Sequence, residues 1–449
     1  MPPNQPVAHR VAPMLHRENA GASRRPVRIV HLGLGNFFRA HAAWYTERAD
    51  PCGEWGIAGF TGRTVDAAEV LTAQDDLYTL VERGPLSDHY SVIGALSLTR
   101  DGTDQHALSD SVASAATVII TATITEAGYV PADIDPQGVP ARLAIALAAR
   151  KNAGGGPLAV VSCDNLPRNG EVLRQAIVAG QSEELTAWIA TNVSFVSTSV
   201  DRITPRATKQ DVEEVRRSQG YVDRAPVITE PYSAWVLSGA FPAGRPRWED
   251  AGAIFVEDLD GYVLRKLWLL NGAHSLLAYA GRLRGHSTVS GAIQDQIVRS
   301  WVEEFWRTGA ALLPDPTDAV HYTVELQARF SNPRIVHKLD QIATDGVIKL
   351  RTRILPMIVA ADAAGLATSS LLRVICSWIA DVMSDRTSVP DAEEHAIRDA
   401  ARCEDSIAAL LALVDPWLGG DRRRVDECRQ ILRDLGSAGR DPELDKLDG

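Results

Sequence analysis

Short β-branched runs alternating with amphipathic stretches fill the first half of the chain. Val27-Arg-Ile-Val-His-Leu32 stops at Gly33-Leu34-Gly35, and Phe38-Arg-Ala-His-Ala-Ala-Trp-Tyr45 then carries a helical pattern. Further apolar runs lie at 56–60, 117–121 and 158–162, separated by segments of helical periodicity such as 141–150. This alternation predicts an α/β fold built on a doubly wound parallel sheet, with ligands beyond the carboxyl ends of its strands. The texture changes near Ile203-Thr-Pro205 and Thr229-Glu-Pro231. Phe241 to Pro246 reads as a loop and Ala253-Ile-Phe-Val256 as one more strand. From Asp260 the pattern is almost continuously helical, over 260–281, 289–312, 319–329, 333–344, 349–363, 367–384, 391–413 and 421–436.

Three parts are therefore expected: a polar, Pro- and Arg-rich flexible tail over 1–24, a sheet domain over 25–258, and a mainly α-helical C-terminal domain over 259–449. Strand, glycine turn and helix at 27–45 form the opening of a dinucleotide-binding, Rossmann-type unit. Its glycines let the backbone approach a pyrophosphate, and the helix N-terminus stabilises the charge. The third glycine of the GxGxxG pattern is replaced by Phe38. Asn165, just past the run that ends at Ser162, falls at the carboxyl edge of the sheet, where it either faces a ligand or caps the helix starting near Gly170.

Lys266-Leu-Trp-Leu-Leu-Asn271-Gly-Ala-His274-Ser275 sets an amine, an amide and an imidazole inside one apolar helix. At α-helical spacing Asn271 lies about 140° around the axis from Lys266, with His274 between them at about 80°. Lysine is scarce, six against forty arginines. Partial burial would lower the pKa of this one towards the range of proton transfer, which arginine cannot enter. The alternative is a lysine that snorkels to the surface beside a hydrogen-bonded Asn and His.

The formal net charge of −11 argues against a nucleic-acid surface, which needs a basic stripe. Five scattered cysteines without a CxxC pair fit a reducing cytoplasm and give no metal framework. With no signal-like stretch and no apolar run of membrane length, no membrane partner is expected. Monomer and homodimer are equally compatible with the composition.

Taken in order, the motifs resemble the polyol-specific long-chain dehydrogenases, the mannitol dehydrogenase family that also contains fructuronate and tagaturonate reductases. The likeness spans roughly residues 27–385. It is carried by Gly33-Leu-Gly-Asn-Phe37-Phe-Arg39-Ala-His41, Gln74-Asp-Asp-Leu-Tyr-Thr79, Thr123-Ile-Thr-Glu126-Ala-Gly-Tyr129 and Ser162-Cys-Asp-Asn165-Leu-Pro-Arg-Asn-Gly170. Val200-Asp201-Arg202-Ile-Thr-Pro205, Thr229-Glu-Pro-Tyr232, the Lys-x4-Asn-x2-His segment and Arg329-Phe-Ser-Asn-Pro-Arg334-Ile-Val-His337 complete it.

The resemblance implies oxidation of a secondary alcohol on an open-chain polyol or sugar acid, with hydride passing to NAD or NADP, and the reverse reduction of the ketose, without a metal. It makes Lys266 the general base and the Asn165 and Asn271 amides the donors to the substrate oxygen. His274, Asp201, Arg334 and His337 would hold the substrate's hydroxyls or carboxylate. Gly33, Gly35, Asn36, Phe37 and Arg39 would form the cofactor loop and Glu126 a proton relay. The site would then lie in the cleft between the two domains.

Two features depart from the family pattern. The acid expected after the second strand is not clear in Thr61-Gly62-Arg63-Thr64, and Arg63 at that place would suit the 2′-phosphate of NADP. Arg265 rather than an acid precedes Lys266, and if it points inward it depresses the lysine pKa further. The alternatives within this reading are a polyol-phosphate dehydrogenase of the mannitol-1-phosphate type and a non-catalytic nucleotide-sensing regulator.

Overall fold

The structure is a computed structural model that describes residues 12–62, 65–314, 317–384 and 389–438. It divides into two compact units between Leu259 and Asp260.

Among the described residues the first unit holds eleven strands: β1 (Val27–Leu32), β2 (Gly56–Phe60), β3 (Tyr78–Arg83), β4 (Asp88–Ile93), β5 (Leu96–Arg100), β6 (Ile119–Ala122), β7 (Leu158–Ser162), β8 (Val193–Asp201), β9 (Val227–Thr229), β10 (Ala234–Ser238) and β11 (Ile254–Phe255). Eight form one sheet in the order β11-β10-β8-β7-β6-β1-β2-β5. The six from β8 to β5 run parallel, as the alternating pattern predicts. β2 and β7 are buried along their whole length, which is why they read as unbroken apolar runs rather than alternating ones. The chain winds outwards from β1 in one direction and from β6 in the other, so the topological switch point lies between these two strands.

Two expectations need correction, and one sheet is additional to them. The sheet is not wholly parallel, because β10 pairs antiparallel with β8 and carries β11 with it. A second sheet, β4-β3-β9, was not expected from the sequence; β4 alternates weakly and is mostly half-exposed, so it leaves little hydrophobic signal. The described part of the tail is not loose. Leu15 is fully buried, Met14 bridges to Val222, and Arg17 is buried with donors to the carbonyls of Asp75, Gly94 and Leu96. Arg24 pairs with Asp76, so arginine side chains, together with buried Leu15, fasten this strap.

The helical unit follows the predicted pattern with local breaks. The run over 289–312 divides at Asp295, whose carboxylate caps the Gln296–Ala311 helix by accepting from the Ile297 and Val298 amides. Between Phe330 and Leu339 the chain is a loop and not the start of a helix, and only Leu339–Ala343 is helical there. Thr288 and Lys338 form an isolated antiparallel bridge that fixes the end of this loop. No described helix is long and apolar enough to cross a membrane.

Candidate active site

In the sheet unit, the glycine turn follows β1 directly. Gly33 has φ +100, and a Cβ there would lie 2.0 Å from the Thr123 carbonyl oxygen, so only glycine fits. Around Gly35 the nearest atom to such a Cβ is 3.7 Å away; this residue is exposed and precedes the Asn36–Ala40 helix. The turn thus presents bare backbone to a ligand at the switch point, which fits a dinucleotide pyrophosphate.

Phe38 explains the missing third glycine. That glycine normally permits close packing of helix on strand. Here the Phe38 ring stacks on buried His31 with centroids 3.4 Å apart and planes at 8°, so an aromatic pair fills the interface instead. His31 hydrogen-bonds Thr121 Oγ1 at 2.8 Å, and burial pushes its pKa down to about 3, leaving it neutral. The helical pattern over 38–45 is interrupted at His41, a fully buried side chain whose Nε2 contacts the Ala234 carbonyl.

Of the cofactor-loop residues, Phe37 stacks on His41 with centroids 4.9 Å apart. Arg39 is turned into the fold rather than outwards. It is buried, lies over the Tyr78 ring, and donates to the Ala225 carbonyl and to Asn36 Oδ1 at 2.7 Å each. Its place is therefore behind Asn36, as a brace. Arg63 lies outside the described residues.

Side-chain bonds sew the loops at the carboxyl edge together. Thr123 Oγ1 donates to the Gly33 carbonyl at 2.8 Å, joining the ends of β1 and β6. Asp164, after β7, accepts from the Ile124 and Thr125 amides and from the Tyr129 hydroxyl, joining β6 to β7. Burial raises the Asp164 pKa while these donors oppose the rise. Glu126, on a short turn beyond Thr125, and Asn165 are both exposed at this edge. Asn165 is not the cap of the next helix: Asn169–Val178 starts after Arg168, and Asn169 donates back to the Asp164 and Thr198 carbonyls. Asp201 ends β8 on the same edge, paired with Ala234.

In the helical unit, Lys266 opens a π-helical segment, Lys266–Gly272, between the α-helices Asp260–Arg265 and Ala273–Leu283. This corrects the α-helical spacing read from the sequence. A π turn hydrogen-bonds i to i+5, which makes Lys266 and Asn271 neighbours along one face instead of about 140° apart. Both are half-buried, while His274 is buried. The Arg265 guanidinium sits over the Tyr322 and Tyr262 rings and donates to the Thr317 carbonyl.

His274 packs against Phe330, centroids 4.7 Å apart, and edge-on to His337 at 5.0 Å. The fold thus brings the predicted His274 and His337 together, and Arg334 lies three residues before His337 in the 331–338 loop. Burial lowers the His337 pKa, and its Nδ1 has no hydrogen-bond partner among the described residues. Reading the sequence missed Arg353 and Trp306, which reach the π segment from other helices. Neither belongs to a motif, and only the need for outside donors at a widened turn marks them.

Residues 27–250 match the family model described as the mannitol dehydrogenase Rossmann domain, and residues 258–431 the mannitol dehydrogenase C-terminal domain. The chain belongs to the mannitol dehydrogenase family. It is accordingly an NAD(P)-dependent oxidoreductase acting on the CH–OH group of a secondary alcohol. Among relatives of this dehydrogenase, D-mannonate oxidoreductase of Escherichia coli is 35% identical over 369 residues, covering 74% of this chain and 75% of the relative. Mannitol 2-dehydrogenase of Cereibacter sphaeroides is 34% identical over 386 residues, covering 78% and 80%. The solved Pseudomonas fluorescens mannitol 2-dehydrogenase, a ternary complex with NAD and D-mannitol, is 30% identical with a TM-score of 0.75, covering 97% of this chain and 99% of that one.

Proposed function

We propose that this dehydrogenase interconverts an open-chain polyol or sugar acid with its ketose, with Lys266 as general base. The observation that carries the reading is the π segment, whose i to i+5 register puts Lys266 and Asn271 on one face of an apolar helix just ahead of a buried imidazole. Lys266 takes the hydroxyl proton as the alcohol is oxidised and returns it during reduction. Asn271 and Asn165 donate to the substrate oxygen as negative charge builds on it; removing either amide is expected to cost about 10²–10³ in turnover. His274, Asp201, Arg334 and His337 hold the remaining polar groups of the chain-like substrate, and a hydroxyl on His337 Nδ1 would complete its hydrogen bonding. Exposed Glu126 passes the proton to solvent.

The dinucleotide, NAD or NADP, supplies or accepts the hydride. The Gly33–Gly35 backbone and Asn36, held by Arg39, form the surface that binds it, with Phe37 beside them. Arg63 would favour NADP. The relatives name both a mannonate oxidoreductase and a mannitol dehydrogenase, so Arg334 is the residue on which the choice turns: a bidentate carboxylate partner in a uronate reductase, a hydroxyl donor in a mannitol-type enzyme. The protein works in the cytoplasm, as a monomer or homodimer, in this reading.

The test is reduction of fructose, fructuronate and tagaturonate with NADH and with NADPH, followed at 340 nm beside Lys266→Ala. Turnover of a uronate alone, lost in the variant, assigns a sugar-acid reductase. Turnover of fructose alone assigns a mannitol-type dehydrogenase. Undiminished turnover by Lys266→Ala refutes the base assignment.

A further inference from the structure

A π turn is less regular than the α-helix around it, and its widened ladder leaves backbone carbonyls for outside donors to satisfy. Among the described residues, Trp306 and Arg353 are such donors to the Lys266–Gly272 segment. Trp306 Nε1, on the Gln296–Ala311 helix, donates to the Leu269 carbonyl at 2.9 Å, and both residues are buried. Arg353 Nη1, at the end of the Gly346–Arg353 helix, donates to the Asn271 carbonyl at 3.2 Å and to Ser275 Oγ at 3.3 Å. Ser275 Oγ donates to that same Asn271 carbonyl, also at 3.2 Å, closing a three-membered ring of contacts on the peptide that carries the amide side chain. Gly272 completes the clamp: a Cβ there would lie 2.6 Å from Cζ of fully buried Phe305, so the next turn is pressed against that ring.

We infer that Arg353 is a positioning residue for the proton-transfer pair, holding the Asn271 peptide in the π register that keeps Asn271 beside Lys266. The inference rests on the proposed roles of Lys266 and Asn271. Without the guanidinium the segment relaxes towards α-helical spacing, which swings the amide away from the amine. Misplacement of about 1 Å at such a group costs on the order of 10²-fold in rate. Arg353 addresses a backbone carbonyl and not the dinucleotide loop, so cofactor affinity should be unaffected.

The test compares Arg353→Met, Arg353→Lys and Lys266→Ala in the full-length protein, using the ketose that the parent reduces. Expected for Arg353→Met is a fall in kcat of about 10- to 100-fold with KM for the nicotinamide cofactor within about twofold. The primary isotope effect from 4-deuterated cofactor should grow as the chemical step becomes limiting. Arg353→Lys, which restores one donor, should recover part of kcat. A purely structural role would lower Tm and leave kcat and the isotope effect of the folded fraction unchanged, and that result overturns the inference. If Arg353→Met does not fold, Arg353→Gln takes its place and should show a kcat loss at constant cofactor KM; parent-like kcat in that folded variant overturns the inference. Parent-like activity in Lys266→Ala overturns the base assignment and this inference with it, whereas loss in Lys266→Ala alone overturns only the role of Arg353.

Discussion

The two glycines of the nucleotide turn should respond to the same substitution in opposite ways. In Gly33→Ala the new methyl would sit 2.0 Å from the Thr123 carbonyl oxygen and 2.8 Å from Thr123 Oγ1, at a φ of +100 that alanine rarely adopts. The first obstacle is backbone, so no rotamer change relieves it. The ends of β1 and β6 must separate, and the Thr123 Oγ1 bond to the Gly33 carbonyl is lost with them. Strain of about 1–2 kcal/mol and a lost bond of about 1 kcal/mol give a destabilisation on the order of 3 kcal/mol. That corresponds to a fall in Tm of roughly 6–12 °C for a unit of this size. In Gly35→Ala the methyl meets nothing nearer than 3.7 Å, and the fold should keep its Tm within about 1 °C. The methyl occupies the space through which the backbone approaches the pyrophosphate, so dinucleotide affinity should fall at least tenfold. Thermal melts and fluorescence titration with NADH and NADPH measure both quantities. Gly35→Ala binding the preferred dinucleotide with parent affinity would refute the placement of the pyrophosphate over this turn, and a Gly33→Ala protein of unchanged Tm would refute the packing argument.

His31 should make the fold acid-sensitive: its pKa is depressed in the fold to about 3, against about 6.5 when unfolded, so the unfolded state binds the extra proton between those values. Its contribution is complete well above pH 6.5 and declines as pH falls, by on the order of 3 kcal/mol by about pH 4.5. Urea melts of the parent should therefore lose stability faster over this range than those of His31→Asn, and parallel pH profiles would contradict the buried neutral imidazole. Of the five thiols, exposed Cys52 and Cys403 should react with an aromatic disulfide reagent in the native protein. Cys163, Cys376 and Cys428 are buried, with burial raising the first two pKa values, and should react only after denaturation; three or more fast thiols in the native state would show the packing around the buried thiols to be looser.

The parts of the fold legible in the sequence are those that bury apolar side chains at a regular period. β1, β2, β6 and β7 announced themselves as apolar runs, and the strand-turn-helix opening placed the nucleotide loop. What escaped is held by polar contacts or by an irregular turn. The strap around Arg17 and Arg24 is fixed by the Arg17 amide on the Asp75 carboxylate, the Arg24 guanidinium on Asp76 and the Arg17 guanidinium on backbone carbonyls, which no hydrophobic pattern reveals, although the paired acids of Gln74-Asp-Asp-Leu-Tyr-Thr79 are in plain view. Gln74 from that motif bonds Asp223 at 2.8 Å, tying the end of one helix to a distant loop. A π turn leaves no periodic trace, because it shifts the register only once. Its one signal was the five-residue spacing of Lys266 and Asn271, which makes little sense on an α-helix and good sense on the turn observed.

Asp164 shows which part of the loop edge is free to change. One carboxylate, facing inwards, gathers two amides and a hydroxyl, and so fixes the courses of two loops without using the residues at their tips. Glu126 and Asn165 lie exposed beside this frame. A lineage built on such a frame can exchange what its loops offer to a ligand, one residue at a time, while the hem beneath stays sewn.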